Sequence, residues 1–196
     1  MSIPGTPALT IYDLDAARRD LLRRSGGGIS MPVAGAIYWA ALGTAGYFLT
    51  PSQWVLAAFF GSGTIFPLAL LLAKPLRSDL MIRNHPLNSL APRAVLAINL
   101  LWPVYFAMFA TAPALVPLSL AIGMGLHWPI IGWLYNSRAC MEHAVARVTV
   151  VSLLWFGYPQ GRYTVLPFAV AAIYLVTIHF MRREVAAANH AVAQPI

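Results

Sequence analysis

Residues 113–135 read PALVPLSLAIGMGLHWPIIGWLY, a run without a single Asp, Glu, Lys or Arg. A helix rises 1.5 Å per residue, so about 20 apolar residues cross the roughly 30 Å hydrocarbon layer of a bilayer. The stretch is long and apolar enough to do so. A strand of a membrane barrel would alternate in segments of about ten residues, whereas this run is continuous. Working outward, five similar runs flank it: 32–49, 53–73 and 94–110 before it, 144–160 and 163–181 after it. The expected fold class is therefore all-α, a polytopic membrane protein built as a bundle of six transmembrane helices.

Composition agrees with that reading. Hydrophobic residues make up 59% of the 196 and charged residues 10%, against about 45–50% and about 25% in soluble domains. Such a chain cannot cover a soluble core with polar surface. An ordinary cytosolic enzyme, a disordered chain and a nucleic-acid binder are all excluded, the last despite a net charge of +7. The basic residues fall between apolar runs, so membrane lipids, not nucleic acid, are the expected partners. The lone Cys140 implies no internal disulfide. Residues 1–31 hold three Asp and four Arg and no short apolar core. No cleavable signal peptide is expected, and the first span reads as an uncleaved signal-anchor.

The links between spans set the topology. Links 50–52, 111–112 and 161–162 are very short, while 74–93 and 136–143 are longer and polar. Short links make antiparallel neighbours, so the chain reads as three helical hairpins. An N-in/C-in arrangement places 12 of the 13 basic residues inside and leaves only Arg162 outside; the reverse arrangement violates the positive-inside rule. The organisation expected is a cytoplasmic N-terminal segment over 1–31, a transmembrane domain over 32–181 and a cytoplasmic tail over 182–196. Within the first segment, 13–25 reads as a short amphipathic surface helix. Asp13 would cap it, Leu14, Ala17 and Leu21 share a face, Arg23 and Arg24 suit the end of the dipole, and Gly26, Gly27 and Gly28 stop it. It serves either as an orienting cap or as a contact for anionic lipid.

Two spans share a pattern. Gly61-x-Gly63-x-x-x-Pro67 in the second recurs as Gly123-x-Gly125-x-x-x-Pro129 in the fourth. It reads either as a parallel duplication or as the ordinary Gly and Pro content of membrane helices. Paired glycines admit a close neighbour, and a proline frees a carbonyl and kinks the helix. Ser62 and Thr64 are placed to satisfy freed carbonyls. No Asp or Glu lies at membrane depth, which argues against a carboxylate-relay carrier. His127 is the deepest titratable side chain by this reading. Arg147, about one turn into the fifth span, is expected to snorkel to the inner surface. Asn99 reads as interhelical glue. Trp54, Trp133 and Tyr135 fit interfacial belts, and Trp39, Trp102 and Trp128 lie deeper. The candidate ligand site is Gly61, Gly63, Thr64, Pro67, Trp102, Gly125, His127 and Trp128.

Chemistry-bearing motifs are sparse. There is no His-Glu-x-x-His, no phosphate-binding glycine loop, and Phe60 stands where a Gly-x-Ser-Gly motif needs glycine. His127 and His179 differ in depth, against a shared haem, and Cys140, Glu142, His143 and His85 lack a zinc spacing. No catalytic residue, cofactor or metal is expected. The runs 60–68 (FGSGTIFPL), 84–87 (NHPL), Trp102-Pro103 and 127–135 (HWPIIGWLY) together resemble a family of small bacterial multi-pass membrane proteins, a domain of unknown function. The resemblance covers roughly residues 13–180. It implies the six-span architecture and a bacterial inner-membrane location, and carries no activity.

Three functions suit these features. The first is a non-enzymatic protein that binds or passes a small neutral or apolar solute or lipid within a kinked bundle. The second is an accessory or scaffold subunit, with a homo-oligomer or another membrane protein as partner. The third is a lipid-modifying enzyme using Asp79, His85, Asn88, Arg138, Glu142 and His143 on the inner links.

Overall fold

The structure, a computed structural model, describes residues 11–82 and 84–193. Arg83, counted above with the inner charges, lies outside the described residues. So do 1–10 and 194–196.

The described residues form α-helices joined by turns, with no strand among them. In order these are α1 (Ile11–Ser25), α2 (Ser30–Ala45), α3 (Pro51–Ser62), α4 (Ile65–Ala73) and α5 (Leu90–Asn99). Then come α6 (Trp102–Thr111), α7 (Val116–Gly123), α8 (Trp128–Tyr135), α9 (Arg138–Gly157) and α10 (Val165–Ala193). Leu90–Thr111, Pro113–Tyr135, Arg138–Gly157 and Val165–His190 are each long and apolar enough to cross a membrane. The pair α3 and α4, bent by 44°, counts as a fifth if it is one span. The first expected span is shorter than its sequence run: α2 has 16 residues, about 24 Å at 1.5 Å each. Glycines bound it on both sides. Gly26, Gly27 and Gly28 all take positive φ ahead of it, and Gly46 caps its end.

Three boundaries differ from expectation. Ser137 caps α9, its hydroxyl accepting from the Cys140 N–H at 3.2 Å, so α9 starts at Arg138 and not at 144. Asn136 takes the left-handed conformation that ends α8, a position small polar residues tolerate. The supposed link 136–143 is therefore a turn of Asn136 and Ser137. At the other end, α10 runs helical to Ala193, through most of the segment assigned to a tail. In α1 the helix already runs at Ile11, so Asp13 lies in its first turn and does not cap it.

The prolines fall where helices restart. Breaks separate α3 from α4, α5 from α6 and α7 from α8, and Pro67, Pro103 and Pro129 each lie in the first turn of the second half. A proline there costs little, because first-turn N–H groups lack helical partners anyway. Pro167 likewise sits in the first turn of α10. At the α3–α4 break the Thr64 hydroxyl donates to the Gly61 carbonyl and the Ser62 hydroxyl to Phe59, both at 2.7 Å. At the α5–α6 break, Asn99 accepts from Trp102 Nε1 at 3.0 Å and donates to Val95 at 2.8 Å. Asn99 thus bridges its own broken helix and does not glue two helices together.

Helix α10 is the axis, packed against both α2 and α9. Helix α4 lies against α2, and α7 and α8 against α9. The α5–α6 segment is the outlier: 11% of its most apolar stretch is buried, against 44% for α10. The polar segments gather at one end. Asp79 N–H donates to the Ser25 carbonyl, Ser30 bonds Ser78, and Glu184 of α10 reaches the start of α9. Helix α1 folds back over this end, where Leu21 and Leu22 are buried and Arg18 Nε donates to the Trp133 carbonyl at 2.6 Å. At the opposite end the α2–α3 link meets the α9–α10 link, with Gly46 against Tyr163. Trp54 is fully buried there, its Nε1 donating to Leu42, and Tyr135 is buried too. Of the three belt candidates, only Trp133 stays exposed.

Candidate functional site

Arg147 is the tenth residue of α9, about 14 Å from the helix start at 1.5 Å per residue. It does not snorkel: the side chain is 0% exposed. The earlier start of α9 explains this, since it moves Arg147 from the end of a span to its middle. Gly125 lets it in. A methyl group at Gly125 would stand 2.8 Å from Arg147 Cδ and 3.1 Å from Nε.

The guanidinium is fixed by few partners. Its Nε donates to the Ala121 carbonyl at 2.6 Å, released near the α7–α8 break. Its Nη1 donates to the Tyr174 hydroxyl at 2.9 Å and faces His143 Nε2 at 3.5 Å. The rings of Trp39 and Tyr174 each lie 5.2 Å from its central carbon. Nη2, with two N–H donors, has no partner among the described residues. No ion pair among the described residues includes Arg147. A guanidinium is a permanent cation with donors only. Burying one without a counter-ion costs several kcal/mol, which the two aromatic faces only partly offset, at about 2 kcal/mol for a desolvated contact.

His143, one turn earlier on α9, completes the cluster. It is buried in the bundle, not placed on an inner link. Thr177 donates its only hydroxyl proton to Ile173, so at 2.8 Å it must accept from His143 Nδ1. The proton therefore sits on Nδ1, and Nε2 presents a lone pair toward Arg147. Trp128 stacks on the His143 ring at 4.0 Å, and Tyr174 lies 4.8 Å from it. The indole N–H groups of Trp39 and Trp128 are buried and unpartnered.

A groove of about 320 Å³ lies against Arg147. Gly125, Leu126 and Pro129 form one wall, Val145 and Val148 the other, and Arg147 also lines it. Leu126, Val145 and Val148 are exposed apolar residues, so the groove opens sideways through the apolar flank between the α7–α8 break and α9.

The structure divides the residues singled out from sequence. Gly125 and Trp128 belong to the Arg147 cluster. His127 is half-buried beside them, its ring 5.5 Å from Trp128 and its Nδ1 unpartnered. Trp102 packs on Phe59 and Tyr105, and Gly123 makes room for the Tyr105 hydroxyl. Gly61, Gly63, Thr64 and Pro67 mark the α3–α4 bend, where Gly61 abuts the Tyr38 ring. Sequence reading missed Arg147, His143, Tyr174 and Thr177 as a group. The signal was the spacing: His143 and Arg147 are four apart and share a helix face.

The inner-link residues are engaged separately. His85 Nε2 lies 3.1 Å from the Ala17 carbonyl, Asn88 bonds the Ile82 carbonyl and Asp79 accepts from Met81. Arg138 and Glu142 pair with each other on the exposed side of α9. Among the described residues no group of three or more His, Cys, Asp or Glu could hold a metal. No curated protein and no solved structure matches the chain. A family of unknown function, DUF7010, matches residues 14–184. The chain, with its broken helices and buried arginine, belongs to that family.

Proposed function

We propose that the protein spans a membrane six times, as three hairpins with both ends inside, and binds or passes a small lipid-phase solute at Arg147. Helix α2 would make the first crossing, extended by its flanking turns. The gathering of the polar, Arg-rich segments at one end supports the orientation. The observation that carries the binding reading is a fully buried arginine with an unpartnered Nη2 beside a sideways-opening groove. A buried donor without an acceptor is costly and rare in native proteins, and an ionisable residue within an apolar span marks a functional site by default. The occupant would be an amphiphile whose head accepts hydrogen bonds and whose tail lies along the groove. This differs from a wholly apolar solute, which would leave Nη2 unsatisfied.

The test is native mass spectrometry of the protein in detergent, comparing wild type with Arg147→Met. Wild type should carry a co-purified small amphiphile that the variant lacks, while melting temperature holds or rises, because removing a buried unpaired charge relieves strain. A variant that melts far lower with unchanged bound molecules would mark Arg147 as purely structural.

A second reading is an accessory subunit. The α5–α6 segment favours it, since Leu96, Leu100, Val104 and Phe106 are exposed and little of the segment is buried. Cross-linking from Leu100 in native membranes should then give one dominant protein adduct; labelling of lipid alone would remove this reading.

A further inference from the structure

This inference rests on the binding reading above and names the ligand class. From the uncompensated charge we infer that the occupant of the Arg147 groove is an aliphatic monocarboxylate, bound as its anion. Charge comes first. The chain has six acidic residues, and each sits elsewhere. Asp13, Asp15 and Asp20 lie on α1, Asp79 accepts from Met81 and Glu142 pairs with Arg138. Glu184 accepts from Ser137 and Ala139 at the start of α9. Among the described residues no carboxylate neutralises Arg147, which leaves its charge open to an anion from outside the bundle.

Hydrogen bonding comes second. Of the residues that line the groove, Arg147 carries a buried donor, Nη2, without an acceptor among the described residues. The acceptor that faces the guanidinium, His143 Nε2, is already directed at Nη1. An alcohol or ester head would satisfy a donor but leave the charge. A carboxylate does both, and its charge-assisted bonds to a guanidinium are roughly twice as strong as neutral ones. Beside its one cation the groove is lined by apolar residues, Leu126, Pro129, Val145 and Val148 among them, and by the single hydroxyl of Thr149. A phosphate monoester carries about two charges, one more than the site neutralises. The apolar walls and the opening toward the flank suit an alkyl chain entering from the lipid phase.

The experiment places the full-length protein in phosphatidylcholine nanodiscs and measures displacement of radiolabelled laurate by laurate, dodecanol, methyl laurate and dodecyl phosphate. Laurate should compete at least about tenfold better than any of the three, an advantage on the scale of one charge-assisted bond. Arg147→Met should abolish that advantage. Because that variant alters the core, Val145→Trp provides a second route: it fills the exposed mouth and should weaken laurate at least about tenfold. A third readout is the ¹³C shift of carboxyl-labelled laurate, which should stay ionised to lower pH when bound than in protein-free discs. Equal competition by dodecanol would overturn the carboxylate assignment and leave the binding reading standing. Preference for dodecyl phosphate would do the same. No saturable laurate or dodecanol binding would overturn both.

Discussion

A missing β-carbon at Gly125 decides where the charge of Arg147 rests. A β-carbon added at Gly125 would stand closer to the arginine stem than van der Waals contact allows, so Gly125→Ala should push the guanidinium out of register with Ala121 and Tyr174. Overpacking of this kind costs about 1–3 kcal/mol. The expected outcome is a lower melting temperature in detergent together with weaker laurate binding. Unchanged binding and stability would mean that α7 can move aside at no cost. Gly125 was legible in sequence as a close-approach glycine, but its partner was not. Glycine spacing says that something comes near, never what. His127 shows the converse. Its place in the middle of an apolar run was readable, yet the residues gathered around the buried charge include His143 and Tyr174, which come from α9 and α10.

Helix ends decide as much as helix cores in this chain. Glu184 of α10 accepts from the Ala139 N–H at 3.0 Å and from the Ser137 hydroxyl at 2.5 Å. A carboxylate at the positive end of α9 satisfies first-turn donors and complements the dipole. Glu184→Gln keeps the shape and removes the charge, so it should destabilise by about 1–2 kcal/mol in this partly buried setting. Thermal unfolding of the purified variant checks it. No drop in melting temperature would show that the charge itself contributes nothing at this helix end. This cap also fixes the phase of α9. Starting the span at 144 puts Arg147 at an interface; starting it at Ser137 puts His143 and Arg147 in the bundle. The Ser137 cap was present in the sequence, and a window tuned to hydropathy passes over it because Arg138 and Glu142 follow.

For the molecule as a whole, α1 acts as a cover on the charged end, and its helical order should depend on pH. Asp20 accepts from Arg23 at 2.7 Å and lies 3.6 Å from Arg24 and 3.8 Å from His85. The Arg23 hydrogen bond, helped by the charges of Arg23, Arg24 and His85, holds its pKa below the ordinary 3.8 despite partial burial. A depressed carboxylate pKa stabilises the folded state above the unfolded value and loses that contribution as pH falls through the folded value. Hydrogen exchange over α1 should therefore be flat from neutral pH to about 4 and then accelerate below it, once intrinsic rates are corrected. Acceleration already at pH 6 would assign that helical order to another group. The surrounding bundle, held by apolar packing along α10, should show no matching change.

The sequence alone determined the class, the helical character and the clustering of charge between apolar runs, because these depend on composition and on period along one chain. It also marked three helix breaks, at Pro67, Pro103 and Pro129, since a proline lacks the N–H that would continue the helix; Pro167, read in the same way, lies instead in the first turn of α10. Tertiary structure decided the rest. Hydropathy averages over a helix and ignores its phase, so it could not show that Arg147 points inward. It could not show that Tyr174 and Thr177 of α10 meet His143. Nor could it show that all six acidic residues lie away from Arg147. Whether a buried charge is paired depends on neighbours brought together by folding, and in this protein that absence is what makes Arg147 the functional candidate.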